Sequence, residues 1–220
     1  MSRHPRLVIP DHPHHVTQRG NRRQPVFFCD DDYTLYLDLL RHWAGQAKTE
    51  IWAYCLMPNH VHLILTPSTP DGLRATLGET HRRYTRHINL REGWRGHLWQ
   101  ERFHSFVMDE PYVLACARYV ALNPVAAGLV ARPEDWAWSS ARAHLEGKSD
   151  GVVALAPLDT RVDDWATFFD DGVEDAMTER LDLHLRTGRP LGDAAFIDGL
   201  VARFGEAAQA RPRGRPARSV

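Results

Sequence analysis

Two histidines, His60 and His62, are separated by one residue in the stretch Pro58-Asn-His-Val-His-Leu. From residue 60 to residue 66, aliphatic residues occupy every second position, and this alternation predicts a strand. Side chains two positions apart on a strand point to the same side, with Cα atoms about 6.5–7 Å apart. Two imidazoles placed in this way can bind one metal ion and leave open positions for a substrate. The alternative is that both histidines form ordinary hydrogen bonds on a half-buried strand face.

A second candidate group consists of Tyr112, Cys116, Tyr119 and Asn123, which are spaced four, three and four residues apart. This spacing places the four side chains on one face of a helix. If that face packs against the histidine side of the sheet, Asn123 could be an oxygen ligand and Tyr119 a nucleophile beside the metal. The alternatives are a core position for Tyr119 and a capping role for Asn123. Asn123-Pro124 would then end the helix and start a short new one.

The elements that must hold these residues follow from the pattern around them. Their order is strand, helix, strand, strand, helix, strand, helix. This order is typical of an α+β fold, ferredoxin-like in outline, in which α-helices flank an antiparallel β-sheet. The predicted strands are 14–20, 51–56, 60–66 and 103–108. The first predicted helix begins at residue 30, the second spans 72–90, and the third spans about 111–123.

The charge is unevenly distributed along the chain. The net charge is −1, but residues 151–208 hold 5 basic and 12 acidic residues, whereas the last ten hold four arginines and no acid. The near-neutral total therefore does not exclude a nucleic-acid partner. We predict three parts: a catalytic domain over 1–146, an acidic helical segment over 147–210, and a basic, flexible tail over 211–220. The acidic segment could dock over a basic face of the preceding domain and regulate access to it.

The composition excludes several classes of protein. With 220 residues, 43% of them hydrophobic and 25% charged, the chain has ordinary globular values, which argues against global disorder. No apolar run approaches the roughly 18 residues that span a bilayer, and no apolar segment follows the basic start, so we expect neither a membrane span nor a secretory signal. Three scattered cysteines do not make a disulfide framework, which favours a cytoplasmic location.

Several stretches, taken in order with Pro58-Asn-His-Val-His-Leu, resemble the REP-associated tyrosine transposases of the single-tyrosine HUH transposase superfamily. The resemblance covers about residues 8–145, and residues 188–192 together with the basic end are similar to the C-terminal tail of that family. The other matching stretches are Arg19-Gly-Asn-Arg-Arg-Gln-Pro25, Trp99-Gln-Glu-Arg-Phe103, Arg118-Tyr-Val-Ala-Leu-Asn-Pro-Val125 and Trp138-Ser-Ser140.

This resemblance implies a ferredoxin-like sheet with His60 and His62 as metal ligands and Tyr119 as the nucleophile. Related enzymes place a polar amide, usually glutamine, one turn after the tyrosine. Here Asn123, which is shorter and is followed by a proline, holds that position. We expect Mg²⁺ or Mn²⁺, because both suit phosphate chemistry and imidazole ligands suit Mn²⁺ better.

The resemblance further implies metal-dependent nicking and joining of single-stranded DNA at hairpin-forming repeats, through a covalent 5′-phosphotyrosine. Two other functions stay open from the sequence. One is a non-catalytic protein that binds repeat DNA on the same scaffold. The other is a metal-dependent hydrolase in which water replaces Tyr119 as the nucleophile. The sequence also leaves open whether the protein is a monomer or a homodimer.

Basic and aromatic residues supply the expected DNA contacts, as phosphate ligands or as platforms for unpaired bases. The alternatives are a solvated helix face for the arginines and core positions for the tryptophans. Arg213-Gly-Arg-Pro216 resembles an AT-hook core, which would lay Arg213 and Arg215 in a narrow minor groove. The remaining candidates are Arg22, Arg23, Arg82, Arg83, Arg86, Trp94, Arg95 and Trp99.

Overall fold

A computed structural model of the chain describes residues 6–205 and residue 208. Four strands and three long helices form the first part of the fold, and five further helices follow. The expected tail over 211–220, with Arg213 and Arg215, lies outside the described residues. The strands and helices are β1 (His14–Arg19), α1 (Asp30–Gln46), β2 (Thr49–Met57), β3 (His60–Pro67), α2 (Gly72–Glu92), β4 (His104–Val107), α3 (Glu110–Ala126), α4 (Ala141–Glu146), α5 (Ala156–Asp159), α6 (Trp165–Asp170), α7 (Asp175–Thr187) and α8 (Ala194–Phe204).

The four strands form one antiparallel sheet in the order β2-β3-β1-β4. Together with α1 and α2 this is the ferredoxin-like arrangement, so the predicted α+β fold class is confirmed. β1 lies at the centre of the sheet and pairs with both β3 and β4. Its register with β3 places Thr17 opposite His62 and Arg19 opposite His60.

The alternation along β3 divides the core into two layers. Val61, Leu63 and Leu65 face α1 and α2, where they pack with residues such as Tyr36 and Tyr84. His60, His62 and Ile64 occupy the other face, and Ile64 packs there in a cluster that contains α3. Burying these apolar side chains supplies most of the free energy that holds the helices on the sheet.

Helix α3 differs from the prediction at its C-terminal end. The sequence favoured a break at Asn123-Pro124, but α3 runs on to Ala126 with Pro124 inside the helix. A proline in this position removes one backbone N–H donor. The helix tolerates this loss because the amides that follow still donate to carbonyl oxygens earlier in the chain. Ala127 donates to the carbonyl oxygen of Asn123, and the chain leaves the helix at Gly128, which has a φ of 68°.

Within the acidic segment the sequence indicates two helices, over 159–186 and 193–208, and the helices of the structure are shorter. The first is interrupted between Asp170 and Asp175, where Gly172 has a φ of 67° and turns the chain. Helix α7 packs against β1, β4 and α3. Its residue Leu181 is fully buried in the cluster that holds Ile64. The predicted division at residue 146 stays a prediction, but these helices complete the core on the histidine side of the sheet.

Candidate active site

His60 and His62 begin β3 and share the sheet face that α3 covers. Their ring centroids are 4.8 Å apart and the rings are nearly perpendicular, at 74°. His62 is 3% exposed, whereas His60 is half-buried at the end of the strand. The alternation of β3 therefore brings the two imidazoles together, as the His-x-His spacing predicted.

Both imidazoles are neutral at physiological pH. Burial lowers the pKa of His60 to about 4, and the nearby charge of Arg19 adds to this effect. Burial also holds the pKa of His62 well below its usual value, with further contributions from His60, His15 and Arg19. A neutral imidazole keeps a lone pair on one ring nitrogen, which is the form that binds a metal ion.

The Nδ1 atom of His60 is 2.6 Å from Oδ1 of Asn59. The orientation of the Asn59 amide is settled by its other end, because Nδ2 donates to the backbone oxygen of Arg23 at 3.1 Å. The Oδ1 atom must therefore accept the hydrogen bond, so His60 carries its proton on Nδ1. This tautomer leaves the Nε2 lone pair of His60 available as a ligand.

The Nδ1 atom of His62 is 3.0 Å from Nε2 of His15, a residue of β1. The two rings are stacked, with centroids 5.3 Å apart, and His15 is fully buried. No local sequence motif marks His15 as a site residue. The signal that could have found it is the alternation of β1, which places His15 and Thr17 on one face, combined with the antiparallel register to β3.

Tyr119 lies on the face of α3 that meets the histidines, which is the packing on which its expected role as a nucleophile depends. Its ring contacts His62 edge-to-face, with centroids 5.5 Å apart, and His15 at 6.0 Å. The side chain is half-buried, and Cys116, one turn earlier on the same face, is fully buried. The phenol therefore stands beside the imidazole pair instead of inside the apolar core.

The hydroxyl of Tyr119 donates a hydrogen bond to Oδ1 of Asp182 on α7 at 3.3 Å. Burial raises the pKa of Tyr119 above its usual value, the Asp182 carboxylate raises it further, and the Asn123 amide acts in the opposite direction. The phenol is therefore protonated at neutral pH, and an acidic side chain holds its hydroxyl. The sequence offered no local signal for Asp182, which lies 63 positions from Tyr119.

Asn123 lies one turn beyond Tyr119, and its Nδ2 donates to the Tyr119 backbone oxygen at 2.9 Å. This bond leaves Oδ1 as the atom of Asn123 that could ligate a metal. Within residues 6–205 and 208, no group of three or more histidine, cysteine, aspartate or glutamate side chains could hold a metal ion. A metal at this site would therefore be held by His60 and His62, completed by an amide, water or substrate oxygen.

Arg19 ends β1 directly opposite His60. Within the described part of the chain its guanidinium has no hydrogen-bond or ion-pair partner, and its charge acts on both histidines. It lines a groove of about 940 Å³ that runs between the sheet and α7, past Arg23 and Asp182. Arg19 was not among the site residues predicted from the sequence, although it lies in a stretch that carries the family resemblance.

The sequence profile of the family described as "Transposase IS200 like" matches residues 9–123, which is more than half of the chain. The chain belongs to this family. The matched region contains β1, β3 and most of α3, and thus His60, His62, Tyr119 and Asn123. Helix α7 with Asp182 lies outside it, so the contact on the Tyr119 hydroxyl comes from a part of the chain that the IS200-like profile does not describe.

Two curated relatives and one solved structure are similar to this IS200-like chain. A REP-associated tyrosine transposase of Haemophilus influenzae is 26% identical over 102 residues, covering 41% of this chain and 58% of that protein. The ISDra2 transposase TnpA of Deinococcus radiodurans is 33% identical over 89 residues, covering 38% and 64%. The chain thus spans about three fifths of the length of these relatives. A structure of a REP-associated tyrosine transposase bound to a REP hairpin superposes with a TM-score of 0.58 at 22% identity, covering 70% of this chain and 92% of that one, which supports the fold.

The arginines expected to contact DNA fall into two groups in this IS200-like fold. Arg22 and Arg23 are exposed in a short 3-10 turn after β1, close to His60, and both have positive φ, at 54° and 62°. The three candidate arginines of α2, Arg82, Arg83 and Arg86, lie on the opposite layer of the sheet. Arg82 and Arg83 are paired there with Glu79, at 2.6 and 3.4 Å. The structure therefore does not bring these α2 residues together with the histidine pair.

The two tryptophans of the 94–99 segment have different environments. Trp99 is 8% exposed and packs in the core against Tyr36, His81 and Tyr84, so its ring presents no face to a base. The expectation that Trp99 stacks on DNA does not fit this placement, since the buried side of α2 needs a large apolar ring. Trp94 is 47% exposed and lies edge-on to the exposed ring of Phe28, at 5.7 Å. Arg86 and Arg95 are exposed.

Proposed function

We propose that this chain is a metal-dependent enzyme that nicks and joins single-stranded DNA at hairpin-forming repeats through a covalent 5′-phosphotyrosine. The observation that carries the proposal is the position of Tyr119, a phenol within 5.5 Å (ring centroids) of a neutral, metal-competent imidazole. The family membership supports a transposase reaction. The names of two similar proteins, a REP-associated transposase and a transposase bound to a REP hairpin, support repeat hairpins as the substrate.

The donor set fits a divalent ion of phosphate chemistry, because His60 and His62 are neutral and Asn123 can add an oxygen. When bound there, Mg²⁺ or Mn²⁺ would withdraw charge from the scissile phosphodiester. Zinc is a weaker choice, because no cysteine or carboxylate completes a closed site among the described residues.

Tyr119 supplies the nucleophile. Its oxygen forms a bond to phosphorus and the bond from phosphorus to the 3′ oxygen breaks, so the strand downstream of the cut stays attached to the protein through its 5′ phosphate. The phenolic proton leaves to water, and the departing 3′ oxygen takes a proton from water. Because the new ester keeps the energy of the old one, another 3′-hydroxyl can reverse the step and join strands.

Arg19 is placed to assist this step. A guanidinium forms strong paired hydrogen bonds to phosphate oxygens, and Arg19 has its donors available beside His60. Its charge would also stabilise the negative charge that develops on the phenolic oxygen of Tyr119 as it attacks. Neither role requires a conformational change of β1, whose backbone is held on both sides by β3 and β4.

The DNA strand would follow the groove between the sheet and α7, with Arg22 and Arg23 at its entrance. The exposed rings of Phe28 and Trp94 provide a surface on which unpaired bases can stack. Arg95, and Arg86 on the α2 side of the sheet, would contact phosphates of DNA that extends beyond this groove. No helix among the described residues is long and apolar enough to cross a membrane. We place the reaction in the cytoplasm, in keeping with the three unpaired cysteines.

The test is an adduct assay with a labelled single-stranded oligonucleotide that contains a repeat hairpin and its native flanks. With Mn²⁺ or Mg²⁺ we expect a denaturation-resistant protein–DNA band, and with a chelator none. Y119F should abolish the adduct while the protein still binds the hairpin. Cleavage by Y119F without an adduct would instead support a hydrolase that uses water. Binding without cleavage in every metal would support a non-catalytic repeat-binding protein.

A further inference from the structure

The two histidines of the site are each held through their Nδ1 atom by another side chain. His60 meets Asn59, and His62 meets His15. A neutral imidazole has one protonated and one unprotonated nitrogen, so the partner at Nδ1 decides whether Nε2 can bind a cation. The partners of the histidine pair therefore bear directly on its use as a ligand set.

The Asn59 contact settles one half of this question. Its amide is oriented by the bond to the Arg23 backbone oxygen, so Oδ1 accepts from His60. His60 and Asn59 are adjacent in sequence, and β3 begins at His60. The turn that starts the strand thus also sets the tautomer of its first residue.

The contact between His62 and His15 is the second of the two contacts at Nδ1. The two nitrogens are 3.0 Å apart, so one proton lies between them. The other nitrogen of His15, Nδ1, is buried and has no hydrogen-bond partner among the described residues. Buried polar atoms are nearly always satisfied, and a phenylalanine would fill the same space without this penalty. Stability alone therefore does not explain a histidine at position 15.

We propose that His15 and Asn59 are positioning residues, each accepting the Nδ1–H of one histidine so that both Nε2 lone pairs are directed to the metal. This inference rests on the proposed role of His60 and His62 as ligands. Neither His15 nor Asn59 contacts the ion or the DNA. Their effect is to fix the tautomer and the ring orientation before a metal arrives.

The first experiment reads the tautomers directly in the metal-free, full-length protein. Two-bond ¹H–¹⁵N correlations of the imidazole rings show which nitrogen carries the proton. In the wild type we expect Nδ1–H for both His60 and His62. H15F keeps an aromatic ring at this position but loses the acceptor, so His62 should change to the Nε2–H form. H15Q restores an acceptor and should keep Nδ1–H.

The second experiment measures Mn²⁺ binding by titration calorimetry with the metal alone. H15F should weaken the affinity by about 10–100-fold, the range that is typical for loss of a residue that orients a ligand. H15Q should stay within about threefold of the wild type. H81F is the matched control, since His81 is also buried and bonds to Tyr36 on the opposite face of the sheet. H81F should leave Mn²⁺ affinity unchanged.

Asn59 has its own pair of variants. N59A removes the acceptor and should move the His60 proton to Nε2, whereas N59D keeps an oxygen in place and should hold it on Nδ1. Unchanged tautomers and Mn²⁺ affinity in both H15F and N59A would overturn the inference, and so would equal losses in H15F and H15Q. A wild-type protein that binds no Mn²⁺ would instead overturn the ligand role itself.

Discussion

Tyr119 and Asp182 are joined by a hydrogen bond of 3.3 Å between the phenolic hydroxyl and one carboxylate oxygen. The tyrosine belongs to α3, within the family-matched region, and the aspartate belongs to α7, beyond it. A phosphate that approaches the phenol would meet a negative charge at the position it must occupy. The same contact helps to keep the phenol protonated. We expect the two side chains to separate before Tyr119 can attack.

Removing the charge of Asp182 should therefore increase activity. D182N keeps the size of the side chain but removes its negative charge. The substitution therefore lowers the repulsion toward DNA, and it removes the carboxylate that raises the pKa of Tyr119. We expect adduct formation to be several-fold faster than in the wild type at neutral pH, as measured with saturating hairpin oligonucleotide. E179Q is the control, because Glu179 lines the same groove on α7 but does not contact Tyr119. A slower D182N enzyme would indicate that Asp182 accepts the phenolic proton.

Deleting the acidic segment is a less informative test of whether this segment limits the access of DNA to the site. Leu158, Trp165, Phe169 and Leu181 are buried against α3 and the sheet. Truncation after residue 147 would expose this apolar surface together with the site, so loss of folding would hide any gain in access. The single substitution leaves the core intact.

Arg19 should contribute to the rate of the reaction more than to DNA affinity. R19Q removes a guanidinium beside His60 and should slow adduct formation by about 10–100-fold, the equivalent of one charge-assisted hydrogen bond of about 1.5–3 kcal/mol. R86Q, on the outer face of α2, should change affinity slightly and leave the rate at saturation unchanged. Single-turnover rates at saturating oligonucleotide separate the two effects. Equal rates in R19Q and the wild type would remove Arg19 from the reacting centre.

The two tryptophans should respond differently to truncation. W94A should leave the free energy of unfolding nearly unchanged and weaken single-stranded DNA binding by about 1–3 kcal/mol, because an exposed stacking ring is lost. W99A should lower the free energy of unfolding by about 3–5 kcal/mol, because it leaves a cavity beside Tyr36 and Tyr84. Fluorescence anisotropy and urea unfolding measure the two quantities. A DNA-binding defect in W99A at full stability would contradict its assignment to the core.

His81 should make the protein less stable in mild acid. Burial lowers its pKa to about 3, against about 6.5 in an unfolded chain. Between these values the unfolded state binds a proton that the folded state does not, so stability falls as the pH falls from 6.5 toward 3. This residue alone contributes a slope of about 1.4 kcal/mol per pH unit.

Comparison of H81F with the wild type from pH 7 to pH 4, by urea unfolding, measures this contribution. H81F should have a shallower pH dependence, even though it loses the hydrogen bond to Tyr36. Y36F removes the same bond but keeps the buried imidazole, so it should keep the steep dependence. Parallel profiles for H81F and the wild type would show that His81 is not the group responsible.

Local periodicity was enough to predict the parts of the site that lie within one element. The alternation of β3 placed His60 and His62 together, and the helical spacing of α3 placed Tyr119 and Asn123 on one face. The order of elements was enough for the fold class. These features depend on neighbours in sequence, which the pattern reports directly.

The features that the sequence did not predict depend on contacts between distant residues. His15 meets His62 only through the register of β1 on β3, and Asp182 meets Tyr119 only through the packing of α7. Trp99 could not be assigned to the core before its neighbours on α2 were known. The continuation of α3 through Pro124 also depends on packing, which outweighs the preference of a proline to end a helix.

The histidine pair and Tyr119 come from a single copy of the chain and already lie side by side. With the roles proposed for these three residues, one chain supplies both metal ligands and the nucleophile, so we expect the cut itself to need no second chain. Nicking should then be first order in enzyme, with a specific activity that stays constant as the protein is diluted. Dilution would reveal any requirement for a second copy as a fall in specific activity, and it would appear first in the joining of strands, which needs two DNA ends in one place.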